Sequence, residues 1–348
     1  MNIESFFNRI WYGRLTIWAV LLWPLSLLFA LLAKLNALLF QLKIKHSTRL
    51  PVPVVVVGNI TVGGTGKTPL TIYLAQQLTQ LGWQVGIISR GYARSGDDRH
   101  TPLAVTVDSD PAVVGDEPLL LARATQVPVF VARQRASAGQ ALLAAHPAVN
   151  VLLCDDGLQH YALARDIELC VIDAARGLGN GLRLPAGPLR EPRGRLGQVS
   201  AVVLNGKPDV DLLGELYPPQ FVMQLAASAC YQLHHPEIKR HAADFASESL
   251  TAMVGMGNPA RFFATLRGLN YQFIEQAMPD HHAFCAADLP ASGAIMVTEK
   301  DAVKLAALNL MADGDRIWVL PVTAQIEPNL ADWLQATLSA ITEYQNGR

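Results

Sequence analysis

The chain has 348 residues, and its 28 Lys and Arg nearly balance its 29 Asp and Glu, giving a formal net charge of −1. This length can hold one large or two moderate domains. The balanced charge excludes a general polyanion-binding surface, so we expect no nucleic-acid partner. Hydrophobic residues make up 51% of the chain, and its four cysteines have no C-x-x-C spacing. The cysteine pattern favours a reducing compartment and argues against a zinc site.

An uncharged apolar segment extends from residue 15 to residue 33. As a helix it would be roughly 28 Å long, close to the hydrocarbon thickness of a bilayer. Four interpretations are open: a cleaved signal peptide, a transmembrane span, an interfacial anchor and a buried core helix. Trp11, Trp18 and Trp23, together with cations on both sides, favour attachment to a membrane surface. We therefore predict an N-terminal membrane-associated helical segment over residues 1–50.

Residues 54–69 read VVVVGNITVGGTGKTP, which predicts a buried strand, a glycine-rich turn and the start of a helix. In such a turn backbone N–H groups wrap a phosphate, and the helix N-terminus adds its positive dipole end. Lys67 can reach the β- and γ-phosphates, and the Thr68 hydroxyl can ligate Mg²⁺. An ordinary strand-to-helix turn is the alternative, and Thr61 stands where the general pattern has glycine. The predicted nucleoside triphosphate site comprises Thr61, Val62, Gly63, Gly64, Thr65, Gly66, Lys67 and Thr68.

From residue 51 onward, short apolar runs alternate with helical stretches. The spacing predicts a helix over 69–81 and strands over 85–89, 129–132, 151–154, 169–172 and 201–204. Apolar strands separated by helices indicate a P-loop NTPase-like α/β fold, a mostly parallel sheet with helices on both faces. Ligands of such sheets bind beyond the carboxyl ends of the strands, and most of the polar motifs lie there.

The rest of the chain predicts a second, smaller unit. Residues 182–197 have the composition of a long ordered loop, and residues 208–248 have no regular pattern. Further strands are predicted near 252–255, 295–297 and 318–322. We therefore divide the chain into the N-terminal segment (1–50), a P-loop core domain (51–210) and a smaller C-terminal α/β domain (211–348).

Residues 151–160 read VLLCDDGLQH, an apolar strand that ends in two carboxylates. P-loop proteins place a carboxylate near Mg²⁺ in this way. Asp155 and Asp156 are therefore the predicted metal-site carboxylates, and Gln159 and His160 lie within reach of the same site. A strand followed by an Asp-Gly turn is the alternative. Asp173 follows another apolar strand in the same manner, and a structural role fits it equally well.

Arginines cluster in three loops on the predicted ligand side of the sheet. Arginine suits bidentate phosphate recognition, although each one alone also fits a solvated surface. Together they indicate an acceptor that already carries phosphate, or charge stabilisation during transfer. Transfer to a hydroxyl also benefits from a base, for which Asp116, Glu117, Asp280, His281 and His282 are candidates. The arginines are Arg90, Arg94, Arg133, Arg135, Arg190, Arg193 and Arg195.

These motifs together resemble one family, tetraacyldisaccharide 4′-kinase, the lipid A 4′-kinase. The resemblance extends from the apolar N-terminus to the last strand, and the combination is more specific than any single motif. Thr61, unusual for a general P-loop, is normal in this family. The segments that carry the resemblance are 58–69, 89–92, 115–118, 155–160, 184–191 and 298–304.

The resemblance implies transfer of the ATP γ-phosphate, with Mg²⁺, to the 4′-hydroxyl of a tetraacylated glucosamine disaccharide 1-phosphate. It implies that Lys67 and Thr68 bind the triphosphate and metal, and that Asp155 and Asp156 serve the metal and active site. Asp116 would act as base, assisted by His281. The residues implied to line the site or to face the phosphates or acceptor are Arg90, Tyr92, Gln159, His160, Arg190 and Glu191.

The implied substrate places the protein at the inner (cytoplasmic) membrane with its active site on the cytoplasmic side. An anchoring helix confines enzyme and lipid to one surface, and the sequence indicates no obligate protein partner. The alternative is a membrane-attached P-loop NTPase that switches or drives a partner. Residues 205–209, NGKPD, resemble the guanine-reading Asn-Lys-x-Asp pattern with one inserted residue. Strong GTP selectivity would favour that alternative.

Overall fold

The computed structural model describes residues 3–14, 16–91, 101–208, 218–280, 282–308 and 310–346. The helices are α1 (Ile3–Tyr12), α2 (Ile17–Gln41), α3 (Lys67–Gln80), α4 (Pro111–Val114), α5 (Asp116–Thr125), α6 (Arg135–Ala145), α7 (Pro259–Gly268), α8 (Glu299–Ala306) and α9 (Leu330–Asn346). The strands are β1 (Val54–Gly58), β2 (Val85–Ser89), β3 (Leu103–Val105), β4 (Val129–Val131), β5 (Val151–Asp155), β6 (Ile167–Asp173), β7 (Ala201–Asn205), β8 (Gln220–Ala227), β9 (Cys230–Gln232), β10 (Lys239–Arg240), β11 (Leu250–Val254), β12 (Ile274–Ala277), β13 (Ala294–Thr298), β14 (Ile317–Leu320) and β15 (Val322–Glu327).

In the described part of the chain, the first sheet has nine strands in the order β15-β8-β7-β6-β1-β5-β2-β4-β3. It is parallel from β8 to β4, and its two edge strands, β15 and β3, are antiparallel. Strands β1, β5 and β7 are buried along their whole length, as strands covered by helices on both faces must be. The predicted α/β fold is confirmed. Because β1 is parallel to both of its neighbours, β5 and β6, the loops that follow these three strands lie at the same end of the sheet.

The second sheet has the order β10-β9-β14-β13-β11-β12 among the described residues. The sequence pattern missed β8 and β9, which lie in the region predicted to be irregular. It also predicted one strand over 318–322, whereas β14 ends at Leu320 and β15 begins at Val322 in the other sheet. Pro321 separates the two strands because proline has no N–H to donate to a ladder.

The order of the strands shows which segments belong to each sheet, and the three-part division of the chain stays a prediction. The second sheet takes residues 230–320, and β8 before it and β15 after it both join the first sheet. Helix α9 packs Leu330, Leu334 and Leu338 into the core of the first sheet.

The N-terminal helices rest against the loop after β6. The Ser26 hydroxyl donates to the Arg183 carbonyl oxygen at 2.9 Å and accepts from the Ala186 N–H at 2.9 Å. Trp11 Nε1 donates to the Pro185 carbonyl oxygen at 2.9 Å. Helix α2 is long and apolar enough to cross a membrane by length and composition, and most of its large apolar side chains are exposed. The interpretation of this segment as a buried core helix is therefore wrong.

Candidate active site

A cavity of about 680 Å³ opens where the strands of the first sheet end, and residues from both sheets line it. The volume is in the range of sites for small molecules and cofactors. Its walls combine the glycine-rich loop (62–68), Asp116 and Glu117 of α5, and Lys300 of α8. Residues of α1 and several arginines complete the lining, among them Phe7, Asn8, Trp11, Arg90, Arg176, Arg190 and Arg261.

Two side-chain amides hold the glycine-rich loop in place. Asn205, at the end of β7, donates from Nδ2 to the Thr65 carbonyl oxygen at 2.8 Å. Asn59 Nδ2 donates to Thr65 Oγ1 at 3.2 Å. Gly66 directly precedes α3 with φ +98°, a conformation that costs little only for glycine. The first N–H groups of α3, which have no partner within the helix, are therefore presented at the loop, as phosphate binding requires.

The close packing of Gly66 against Asn205 gives a test of this loop. A methyl group at Gly66 would collide with the Asn205 side chain, whereas Gly82, at φ +92°, has open space around it. Both glycine-to-alanine changes incur a left-handed strain of roughly 1–2 kcal/mol. Only Gly66→Ala should also weaken ATP binding, by about tenfold or more, equal to about 1.4 kcal/mol. Calorimetric ATP titration measures this, and equal affinities in Gly66→Ala and Gly82→Ala would contradict it.

The two adjacent carboxylates after β5 have different surroundings. Asp156 lines the cavity, and its Oδ1 lies 3.6 Å from both Lys67 Nζ and Arg190 Nη1. Burial opposes ionisation, but Lys67, Arg190 and Arg135 outweigh it and hold the pKa of Asp156 below its usual range. Asp156 is therefore an ionised carboxylate between cations.

Asp155 lies beneath the cavity and is only 1% exposed. It accepts a hydrogen bond from Thr71 Oγ1 at 3.2 Å, which ties β5 to the first turns of α3. Burial, together with the nearby carboxylates of Glu117 and Asp156, raises the pKa of Asp155. The structure thus separates the two carboxylates that the sequence pattern treated as a pair.

Asp116 is the first residue of α5, where the helix dipole favours a carboxylate. Its Oδ1 accepts from the Glu117 N–H at 2.9 Å, and its Oδ2 lies 3.7 Å from Lys304 Nζ and 3.9 Å from Lys300 Nζ. Lys300 also donates to Glu117 Oε1 at 2.8 Å. Burial would lower the pKa of Lys300, but Glu117 and Asp116 outweigh it and raise that pKa. Asp116 therefore faces the cavity beside fixed cations.

Three residues of the predicted site, Tyr92, Arg94 and His281, lie outside the described residues, and their roles stay predictions. Asp280, next to His281, lines the cavity. Thr61 is buried and its backbone pairs with Leu189, so the part of the glycine-rich segment that faces the cavity is 62–68.

Gln159 and Glu191, predicted to line the site, are not among the described residues that line the cavity, and they contact each other near the turn after β1. Gln159 Nε2 donates to Glu191 Oε1 at 2.6 Å and to the Asn59 carbonyl oxygen at 2.8 Å. Glu191 also accepts from the Tyr161 hydroxyl at 3.0 Å, and its Oε2 lies 3.2 Å from Arg195 Nε. These contacts brace the turn that leads from β1 into the glycine-rich loop.

His160 is likewise not among the described residues that line the cavity, and its Nε2 accepts from the Arg135 N–H at 3.4 Å. Burial and the cations Arg135, Arg165 and Arg90 lower the pKa of His160 to about 4. In the unfolded chain a histidine binds its proton near pH 6.5. Between about pH 6.5 and 4 the unfolded state therefore binds more protons, and stability falls as the pH falls.

We expect the His160→Gln variant to lose less thermal stability than the wild type between pH 7 and pH 4.5, because it lacks this proton uptake on unfolding. Thermal melts at the two pH values measure the difference. His46→Gln, at an exposed histidine, is the control and should follow the wild type. Parallel pH curves for His160→Gln and wild type would contradict the assignment.

Sequence reasoning missed a contact between the second sheet and the glycine-rich loop. Arg261, on α7, donates to Asn205 Oδ1 and lies 3.5 Å from Asp173 Oδ2. Asp173 also accepts from the Ala175 N–H at 3.0 Å. Asn205 Nδ2 and Oδ1 are both engaged, so this residue supports the loop. Asn205 could be recognised in the sequence as a polar residue at the end of a buried strand. Its partners, Thr65 and Arg261, are distant in sequence and could not.

Comparison with known proteins identifies the family of this chain. The sequence profile of Tetraacyldisaccharide-1-P 4′-kinase matches residues 18–339. A tetraacyldisaccharide 4′-kinase of Dechloromonas aromatica is 53% identical over 337 residues, covering 95% of this chain and 96% of the relative. One of Chromobacterium violaceum is 51% identical, with 94% and 96% covered. The crystal structure of LpxK from Aquifex aeolicus in complex with ATP superposes with a TM-score of 0.74 at 26% identity, covering 93% of this chain and 99% of that one. On this match along nearly its whole length, the chain belongs to the tetraacyldisaccharide 4′-kinase family.

Proposed function

We propose that this chain transfers the γ-phosphate of ATP to the 4′-hydroxyl of a tetraacylated glucosamine disaccharide 1-phosphate, a lipid A precursor. One observation carries the proposal: a single cavity is lined by the glycine-rich loop, by Asp116 and by residues of the N-terminal helix α1. A nucleotide and a lipid can therefore meet in one place. The family membership and the ATP complex of the Aquifex aeolicus relative support the same reaction.

Thr68 and Asp156 fit a Mg²⁺ site. Asp156 lines the cavity and its side chain is 36% exposed, so the carboxylate can reach an ion there while its Oδ1 stays 3.6 Å from Lys67 Nζ and Arg190 Nη1. In the described part of the chain no cluster of three or more His, Cys, Asp or Glu could hold a metal by itself. That agrees with Mg²⁺, which is usually bound through one or two protein ligands plus substrate phosphates. When bound, the ion neutralises charge on the phosphate oxygens. We propose Asp156 as the direct ligand and Asp155 as the residue that fixes Thr71 behind it.

The other charged residues have separate proposed roles in phosphoryl transfer. We propose that Lys67 stabilises charge on the transferred phosphate and that Arg90 and Arg190 face the phosphates of nucleotide or acceptor. Asp116 accepts the proton of the attacking hydroxyl, with His281 as its predicted assistant. Both oxygens of Asp116 have fixed neighbours, which orients the carboxylate towards the cavity.

We propose that the protein works at the cytoplasmic side of the inner membrane, where ATP and the lipid precursor are both accessible. The exposed apolar side chains of α2 support membrane association. Ser26 of α2 is hydrogen-bonded to the loop 183–186, and on this contact we propose that α2 lies along the protein at the membrane surface. This favours the interfacial anchor over the transmembrane span.

The test is transfer of label from γ-labelled ATP, with Mg²⁺, to an acylated glucosamine disaccharide 1-phosphate in detergent micelles. We expect labelled lipid, and no label in the same lipid with its 4′-hydroxyl blocked. Label released only as inorganic phosphate, whatever the lipid, would overturn the proposal in favour of an NTPase.

A further inference from the structure

Two lysines, one turn apart on α8, contact the start of α5. Lys300 lines the cavity and donates to Glu117. Lys304 is not among the cavity-lining residues of the described chain, yet its Nζ lies 3.7 Å from Asp116 Oδ2. Of the described side chains that Lys304 contacts, Asp116 is the one that lines the cavity, so the effect of Lys304 on the reaction is expected to pass through Asp116.

Lys304 is itself held firmly. Its Nζ lies 3.4 Å from Asp301 Oδ1 and 5.4 Å from the centre of the Phe284 ring. Asp301 is fully buried, and its Oδ2 accepts from the Gly255 N–H at 3.1 Å and the Thr298 hydroxyl at 2.8 Å. Through Asp301 the end of β11 and the start of α8 thus fix the position of the ammonium group before any substrate binds.

We propose that Lys304 is a positioning residue for phosphoryl transfer: it fixes the Asp116 carboxylate in the orientation that accepts the proton. The inference rests on the proposed role of Asp116 as base. A general base acts only within hydrogen-bond reach of the proton it removes, and a misplacement of ~1 Å can lower the rate by about 10²-fold. Asp116 Oδ1 is held by the Glu117 N–H on its own helix. Among the cations near Oδ2, Lys304 at 3.7 Å is nearer than Lys300 at 3.9 Å, and Lys300 also donates to Glu117.

The first test compares Lys304→Met, Lys304→Arg and Arg267→Met in the full-length protein in lipid micelles. Lys304→Met removes the charge and keeps an apolar stem beside Phe284. We expect kcat to fall by up to about 10²-fold while the calorimetric affinity for ATP is unchanged, because the nucleotide contacts are intact. Lys304→Arg should recover much of the loss. Arg267→Met, at an exposed ion pair on α7, should behave as wild type.

The second test is a double-variant cycle with Asp116→Asn. If Lys304 acts through Asp116, adding Lys304→Met to Asp116→Asn should cause little further loss. A further loss equal to that of Lys304→Met alone would overturn the inference, as would a Lys304→Met variant with the wild-type kcat. If Lys304→Met does not fold, Lys304→Gln, which keeps a neutral donor, replaces it in the cycle.

Different results would overturn the role of Asp116 as the base and the role of Lys304 as its positioning residue. A wild-type kcat in Asp116→Asn would remove Asp116 as the base, and with it the premise of the inference. A strong loss in Asp116→Asn beside a fully active Lys304→Met would retain the base and overturn the role of Lys304 alone.

Discussion

Lys67→Ala should lose lipid phosphorylation by on the order of 10²–10³-fold or more, the cost of removing one preorganised charge-stabilising donor. Lys67 is the first residue of α3, its side chain lines the cavity, and its Nζ lies 3.6 Å from Asp156 Oδ1. The substitution removes the cation that the glycine-rich loop presents to the phosphates and leaves the loop itself intact. Transfer of label from γ-labelled ATP to the lipid measures the loss.

The control for Lys67→Ala is Lys207→Ala, an exposed lysine after β7 that is not among the residues found to line the cavity. It should retain wild-type transfer, and thermal melts should show that both variants are folded. Wild-type transfer by a folded Lys67→Ala variant would refute the assignment of the glycine-rich loop as the phosphate site.

Asp116→Asn should lower kcat by about 10²–10⁴-fold, the range expected for loss of a general base. The amide keeps the shape of the side chain and can still accept from the Glu117 N–H, so α5 should keep its start. The affinity for ATP should change little, because the glycine-rich loop and Asp156 are untouched. Steady-state kinetics in lipid micelles, combined with calorimetric ATP titration, separate these effects.

Asp108→Asn, at an exposed carboxylate, is the matched control and should keep the wild-type kcat. A change in KM with an unchanged kcat in Asp116→Asn would assign Asp116 to substrate binding instead of proton transfer.

The sequence predicted the parts of this molecule that depend on local pattern. The buried strand β1, the glycine turn and the helix beginning at Lys67 are each specified by neighbouring residues, so their prediction succeeded. The strands β5 and β7 were recognised for the same reason, since apolar runs of this kind need cover on both faces. Strands β8 and β15, the last two strands on one side of the first sheet, were missed or merged because they include exposed positions and lack the continuous buried apolar run.

Pair contacts between distant segments could not be predicted. Lys300 and Glu117 are 183 residues apart, and Asn205 and Thr65 are 140 residues apart. No local spacing encodes such contacts: the Asn205–Thr65 contact depends on the order of the strands in the first sheet, and the Lys300–Glu117 contact depends on how the two sheets pack. The difference between Asp155 and Asp156 is also tertiary. One side chain points to Thr71 beneath the cavity, and the other lies between Lys67 and Arg190.

The passage of the chain between the two sheets has a mechanical consequence. It crosses twice, at 227–230 and at Pro321, and the crossing segments are antiparallel neighbours, with β8 beside β15 and β9 beside β14. These paired strands form a strap between the two sheets. We infer that the strap can flex, and that the second sheet then rotates relative to the first. Because α8 follows β13 of that sheet, such a rotation would move Lys304 towards Asp116 or away from it. The bend of the strap would therefore change the contact that we propose orients the Asp116 carboxylate.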